Sequence, residues 1–145
     1  MPRQVSRLRR CAADDPRRVA CLVQAAYYVA TGVWPLVSLR SFQAVTGPKR
    51  DVWLVKTVGV LVGVVGASLA VAAGREGTHG TTSIRVLALG SALGLAAVDV
   101  VFVARGRISR IYLADAAVEL GLVSVWLAPA RTRRDQDGAS RASST

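Results

Sequence analysis

The sequence predicts an all-α polytopic membrane protein, a four-transmembrane-helix antiparallel bundle, and three observations carry that prediction. Hydrophobic residues fill 52% of the 145 positions and mean hydropathy is +0.37, too apolar for an ordinary soluble domain of this size. The apolar residues fall into four blocks, 19–39, 52–73, 86–104 and 111–128, each near the length that crosses roughly 30 Å of hydrocarbon at 1.5 Å per residue. The second block has no charged residue from Thr57 to Ala73, so it lacks the polar face of a soluble amphipathic helix. The fourth block is the shortest and begins with polar residues.

Charge sets the expected orientation. With the N-terminus inside, twelve arginines lie on the inner side (Arg3 to Arg18, Arg75, Arg85 and Arg131 to Arg141), against six basic residues outside: Arg40, Lys49, Arg50, Arg105, Arg107 and Arg110. The positive-inside rule then predicts both termini cytoplasmic. The net charge of +10 is spread around spans rather than gathered on one face, so nucleic acid is not the expected partner. No cleavable signal is expected, because the first apolar residues follow an arginine-rich segment and run straight into a full span. Cys11 and Cys21 fall near the cytoplasmic end, where thiols stay reduced. His79, the single histidine, sits in a Gly- and Thr-rich turn without a second ligand, so no metal or cofactor is expected.

Taken in order, residues 1–18 form a basic cytoplasmic arm suited to anionic lipid, with Asp14, Asp15 and Pro16 as a helix start. The first span places Gln24, Tyr27 or Tyr28, Thr31 and Pro35 on one face by their three-to-four-residue spacing. Such a stripe should turn toward other helices, where its polar groups find partners. Residues 40–51 connect to the next span through Gly47 and Pro48, with Phe42 and Val45 able to lie as a short interfacial helix, as connector or as lid.

The string Val45, Thr46, Gly47, Pro48, Lys49, Asp51, Trp53, Leu54, Val55, Thr57, Val58, Gly59 resembles a pattern in small, uncharacterised bacterial four-helix membrane proteins, broadly the DoxX-like group. The resemblance covers about a tenth of the chain specifically, with the four-span layout matching the rest loosely. It implies the fold and a bacterial cytoplasmic (inner) membrane, and no activity. The quinone or oxidoreductase association sometimes attached to that group has no motif on these residues.

The second span carries Gly59-x-x-x-Gly63, overlapped by Gly66, Ala70 and Gly74, and the third carries Gly90-x-x-x-Gly94. Small residues four apart let backbones approach, so a tight pair of spans two and three is expected, with Gly63 and Gly94 near the midplane. Residues 74–85 and 105–110 form polar and basic loops, and 129–145 a polar, disordered cytoplasmic tail.

Four ionisable residues fall inside the spans: Lys56, Asp99, Asp115 and Glu119. Counted from the span ends, the first three share one level about 6 to 8 Å below the outer interface. Glu119 follows Asp115 by one turn on the same face. Buried charge is costly in lipid, so these four are expected to converge in the interior as a polar chamber, with Lys56 on the glycine face. Three acids against one lysine leave the cluster short of positive charge. Either loop arginines reach inward or a carboxyl stays protonated. Lysine is scarce in this chain, 2 against 17 arginines, which suits a compact amine at position 56.

The expected function is an outward-facing polar pocket that binds a small amphiphile or lipid head group. Its candidate ligand-binding residues are Lys56, Asp99, Asp115, Glu119, Tyr27, Tyr28, Arg40 and Arg110. Membrane lipids, and a homo-oligomer or larger membrane complex, are the expected partners. One alternative is an accessory subunit whose buried charges only hold helices together, and another is a small proton-coupled transporter. No nucleophile–base pair, phosphate-cradling glycine loop or metal set points to an enzyme, and no inverted repeat is visible between the halves.

Overall fold

The computed structural model describes residues 16–48, 51–75, 77–78 and 80–128. The basic arm up to residue 15, Cys11, Lys49, Arg50, His79 and the tail from 129 lie outside the described residues. Among those described there is no strand, and five helices follow one another: α1 (Pro16–Val37), α2 (Leu39–Thr46), α3 (Val52–Gly74), α4 (Thr82–Ala104) and α5 (Tyr112–Leu127).

Three of them, α1, α3 and α4, are long and apolar enough to cross a membrane. The last, α5, has 16 residues, about 24 Å at 1.5 Å per residue. Large apolar side chains stand exposed on all four, among them Leu22, Trp53, Leu61, Val86 and Leu127.

Local chemistry sets the helix ends. Thr81 caps α4 by accepting from the Ile84 N–H, which satisfies one of the orphan donors of the first turn. At the other end Gly106 takes φ +64 and the amides of Gly106 and Arg107 donate to Val103 O and Phe102 O at 2.9 Å. That is a Schellman closure, which needs a residue tolerant of the left-handed region. The short α2 begins at Ser38, whose hydroxyl accepts from the Ser41 N–H. It is tied back to α1 by the Trp34 indole, which donates to Ser41 Oγ at 2.9 Å, and by an edge-to-face contact between Trp34 and Phe42.

The helices pack as two close pairs, α1 with α3 and α4 with α5, and α1 joins them. The α1–α3 contact is backbone against backbone: a Cβ added at Gly32 would stand 2.6 Å from Gly59 O and Gly63 N, and one at Gly66 2.9 Å from Tyr28 Cβ and Val29 N. This corrects the expected pairing of spans two and three. Gly94, like Gly90, has nothing within 4 Å of an added Cβ. The glycine stripe of α3 fits α1 because Gly32 and Ala25 give α1 a matching run of small residues, and Pro35 Cγ lies over Gly59, where an added Cβ would stand 3.1 Å from it. Toward the start of α1 the Arg18 Nε donates to Ala73 O at 3.1 Å, so the pair is antiparallel. An apolar core of Ala20, Cys21, Ala25, Leu69, Ala73, Ala88 and Trp126 fills this end of the bundle.

Candidate functional site

The polar stripe of α1 meets the acids of α4 and α5. Gln24, fully buried, uses both ends of its amide: Nε2 donates to Ala88 O of α4 at 2.9 Å and Oε1 accepts from the Trp126 indole of α5 at 2.8 Å. One turn on, the buried Tyr28 hydroxyl donates to Glu119 Oε2 at 2.9 Å, with Ser91 and Gln24 beside it. The neighbouring Tyr27 hydroxyl donates to Asp115 Oδ1. The two tyrosine rings lie 6.2 Å apart and tilted by 49°, so adjacent residues of one helix reach two acids one turn apart on another. Thr31 completes the stripe but satisfies itself, donating to Tyr27 O at 2.8 Å, the usual way a hydroxyl is tolerated inside a helix.

Asp99 is the third acid. It is 7% exposed and faces Asp115 across the α4–α5 contact, near enough for a carboxyl–carboxyl hydrogen bond. Its Oδ2 is buried without any hydrogen-bond partner. The charged neighbours of Glu119 are Asp115 and Asp99, and that of Asp99 is Asp115. Among the described residues no cation joins them. The two tyrosine hydroxyls thus serve Asp115 and Glu119, and neither donates to Asp99.

The structure therefore brings together Tyr27, Tyr28, Asp99, Asp115 and Glu119. It leaves out Lys56, Arg40 and Arg110, which are exposed. The expected place of Lys56 on the inner glycine face is corrected by the geometry of α1. Gly59 is covered by Gly32 and Pro35, but Lys56 lies one turn further out, where α1 is ending at Val37. The helix that would bury it is no longer beside it. Two grooves among the described residues lie elsewhere, one lined by Val64, Ala67, Ser68, Val71 and Arg75 and the other by Arg85, Val86 and Leu89, and neither is lined by the acids. Among the described residues the acids are not placed as a group able to hold a metal ion.

Trp126 and its bond to Gln24 were not anticipated from sequence. The signal was present, because Trp126 follows Glu119 by seven residues and so lies on the same helical face.

Compared with protein-family models, with curated proteins and with solved structures, the chain matches none of them.

Proposed function

We propose that α1, α3, α4 and α5 span a membrane as a four-helix bundle and that its buried acid cluster binds the cationic head of a small amphiphile. The membrane reading is supported by the length and apolar composition of three helices and by the many large apolar side chains exposed on every long helix. The shorter α5 crosses a locally thinned layer at modest cost. Both termini then face the cytoplasm by the basic-residue bias.

The single observation that carries the binding reading is Asp99 Oδ2, buried and unpartnered beside a second carboxyl. An ionised buried carboxylate is costly without a positive partner, and the described charged neighbours of Asp99 and Glu119 are all acids. A ligand ammonium supplies both the missing positive charge and the missing N–H. The residues flanking Asp99 on α4, Val98, Val100, Val101 and Phe102, are apolar and exposed. A ligand that approaches along them needs an apolar body behind its cationic head.

Proton-coupled transport is a second reading, favoured by the same pair. Two carboxyls within hydrogen-bond reach hold a proton between them, and an arriving ammonium displaces it. The accessory-subunit reading takes the tyrosine–acid bonds as helix glue alone and leaves Asp99 unexplained.

The test is thermal unfolding of the detergent-purified protein with dodecylamine, dodecanol or dodecyl sulfate, for the wild type and Asp99→Asn. Stabilisation by the amine alone, lost in Asp99→Asn, is the expected result. Equal stabilisation by the alcohol, or an amine effect that survives the substitution, would remove the cluster as the site.

A further inference from the structure

A groove lies at the end of the bundle away from Asp99 and Asp115. Along the last three turns of α3, the residues Val64, Ala67, Ser68, Val71 and Arg75 line one side of a groove of about 420 Å³, and Ile84 of α4 stands on the other. Their spacing of three and four places them on one face of the helix. The groove exists because α3 packs closely on α1 and only lightly on α4, and because Ala67 and Ser68 are small. The Ser68 hydroxyl is turned into its own helix, donating to Val64 O at 2.9 Å, so the wall presented to a ligand is apolar.

The rim is basic. Arg75 closes the groove as the residue after α3. Arg18 lies at the same end, holding Ala73 O at 3.1 Å, and the Arg17 guanidinium stands 3.5 Å from a Cβ placed on Gly80. From Val64 to Arg75 the helix runs about 16 Å at 1.5 Å per residue, close to the ~15 Å depth of one leaflet's hydrocarbon. A groove that starts at an arginine and ends near the midplane has the dimensions of one acyl chain hanging from one head group.

We propose that this groove between α3 and α4 holds an anionic phospholipid, its phosphate on Arg75 and one acyl chain along Val64, Ala67 and Val71. The proposal rests on the membrane reading of the four helices and is independent of the acid cluster. Charge selects the lipid: a basic rim between spans on the arginine-rich side favours an anionic head group over a zwitterionic one.

The test is native mass spectrometry of the protein released from nanodiscs of equal parts phosphatidylglycerol and phosphatidylcholine. It compares the wild type with Arg75→Gln, which removes the phosphate contact, and Ala67→Leu, which fills the groove from an exposed position. The wild type should retain one phosphatidylglycerol in preference to phosphatidylcholine. Arg75→Gln should reduce that preference about fivefold, and Ala67→Leu should lower retention of both lipids. Glycerol phosphate added to the released protein should not displace the lipid, because the chain contributes most of the contact. Equal retention of the two lipids, or a preference unchanged by both substitutions, would overturn the site. Loss of lipid preference while dodecylamine still stabilises the protein would sink the groove alone, whereas a protein that stays soluble without detergent would remove the membrane reading itself.

Discussion

The indole N–H of Trp126 donates to Gln24 Oε1 at 2.8 Å, and the same amide passes its own N–H to the Ala88 carbonyl at 2.9 Å. One side chain of α1 therefore fastens α5 and α4 at once, in a fully buried place. Replacing Gln24 by Leu strands the indole donor and should lower stability by about 2 to 4 kcal/mol, since a buried unsatisfied group costs more than the lost bond alone. Gln24→Glu keeps an acceptor for Trp126 while removing the donor to Ala88. Unfolding in a mixed-micelle denaturant titration checks the order, wild type above both variants, and a Gln24→Leu protein as stable as the wild type would contradict it.

The glycines of α1, α3 and α4 should separate by position rather than by motif. Gly32→Ala and Gly66→Ala each place a Cβ under 3 Å from backbone atoms of the facing helix. They should cost about 1 to 3 kcal/mol as α1 and α3 are forced apart. Gly63→Ala, although it belongs to the Gly59-x-x-x-Gly63 string, has nothing within 4 Å and should fall within about 0.5 kcal/mol of the wild type, as should Gly94→Ala. If Gly94→Ala proved the damaging change, α3 and α4 would be the tight pair after all.

Tyr28→Phe removes the donor that serves Glu119 in a site where the acid is 1% exposed. It should destabilise by about 1 to 3 kcal/mol. Tyr28→Phe combined with Glu119→Leu should recover part of the loss, because removing both partners leaves no orphaned polar group. A double variant as unstable as the sum of the two singles would show that the bond has no such coupling.

Asp99→Asn should behave in the opposite sense. It removes a carboxylate whose Oδ2 has no partner and which faces Asp115, so the ligand-free protein should gain about 1 kcal/mol or more in stability. Loss of dodecylamine binding should accompany that gain, the usual trade between a strained site and its function. A less stable Asp99→Asn protein would mean that the carboxylate is already satisfied.

Lys56→Gln should change stability by no more than about 0.5 kcal/mol, because the side chain is exposed and outside the acid cluster. Dodecylamine binding should also be unaltered. A large effect on either measurement would return Lys56 to the cluster.

Much of this arrangement was legible in the residues. Blocks of apolar sequence located the long helices to within a few positions, as at Val52 for α3 and Ala104 for α4. The spacing of Gln24, Tyr27, Tyr28 and Thr31 identified a face of α1 that turns inward, and counting from helix ends put Asp99 and Asp115 at one level. These are properties of single helices, set by 3.6 residues per turn and 1.5 Å of rise, so they need no knowledge of neighbours.

Which helix lies beside which is a property of pairs. Three helices offer stripes of small residues, and periodicity alone cannot rank Gly32 against Gly94 as the partner of α3. Shape decided it, through the fit of Pro35 over Gly59 and of Tyr28 Cβ against Gly66. That choice set the fate of Lys56, one turn beyond the end of its covering helix, and it left Asp99 among acids with no base beside it. By itself the sequence determined the helices, their polar faces and the common depth of the acids, because those follow from local periodicity. Only the tertiary structure decided the helix neighbours, and with them which charges are shared and which carboxyl is left without a partner, because close packing depends on surfaces far apart in the chain.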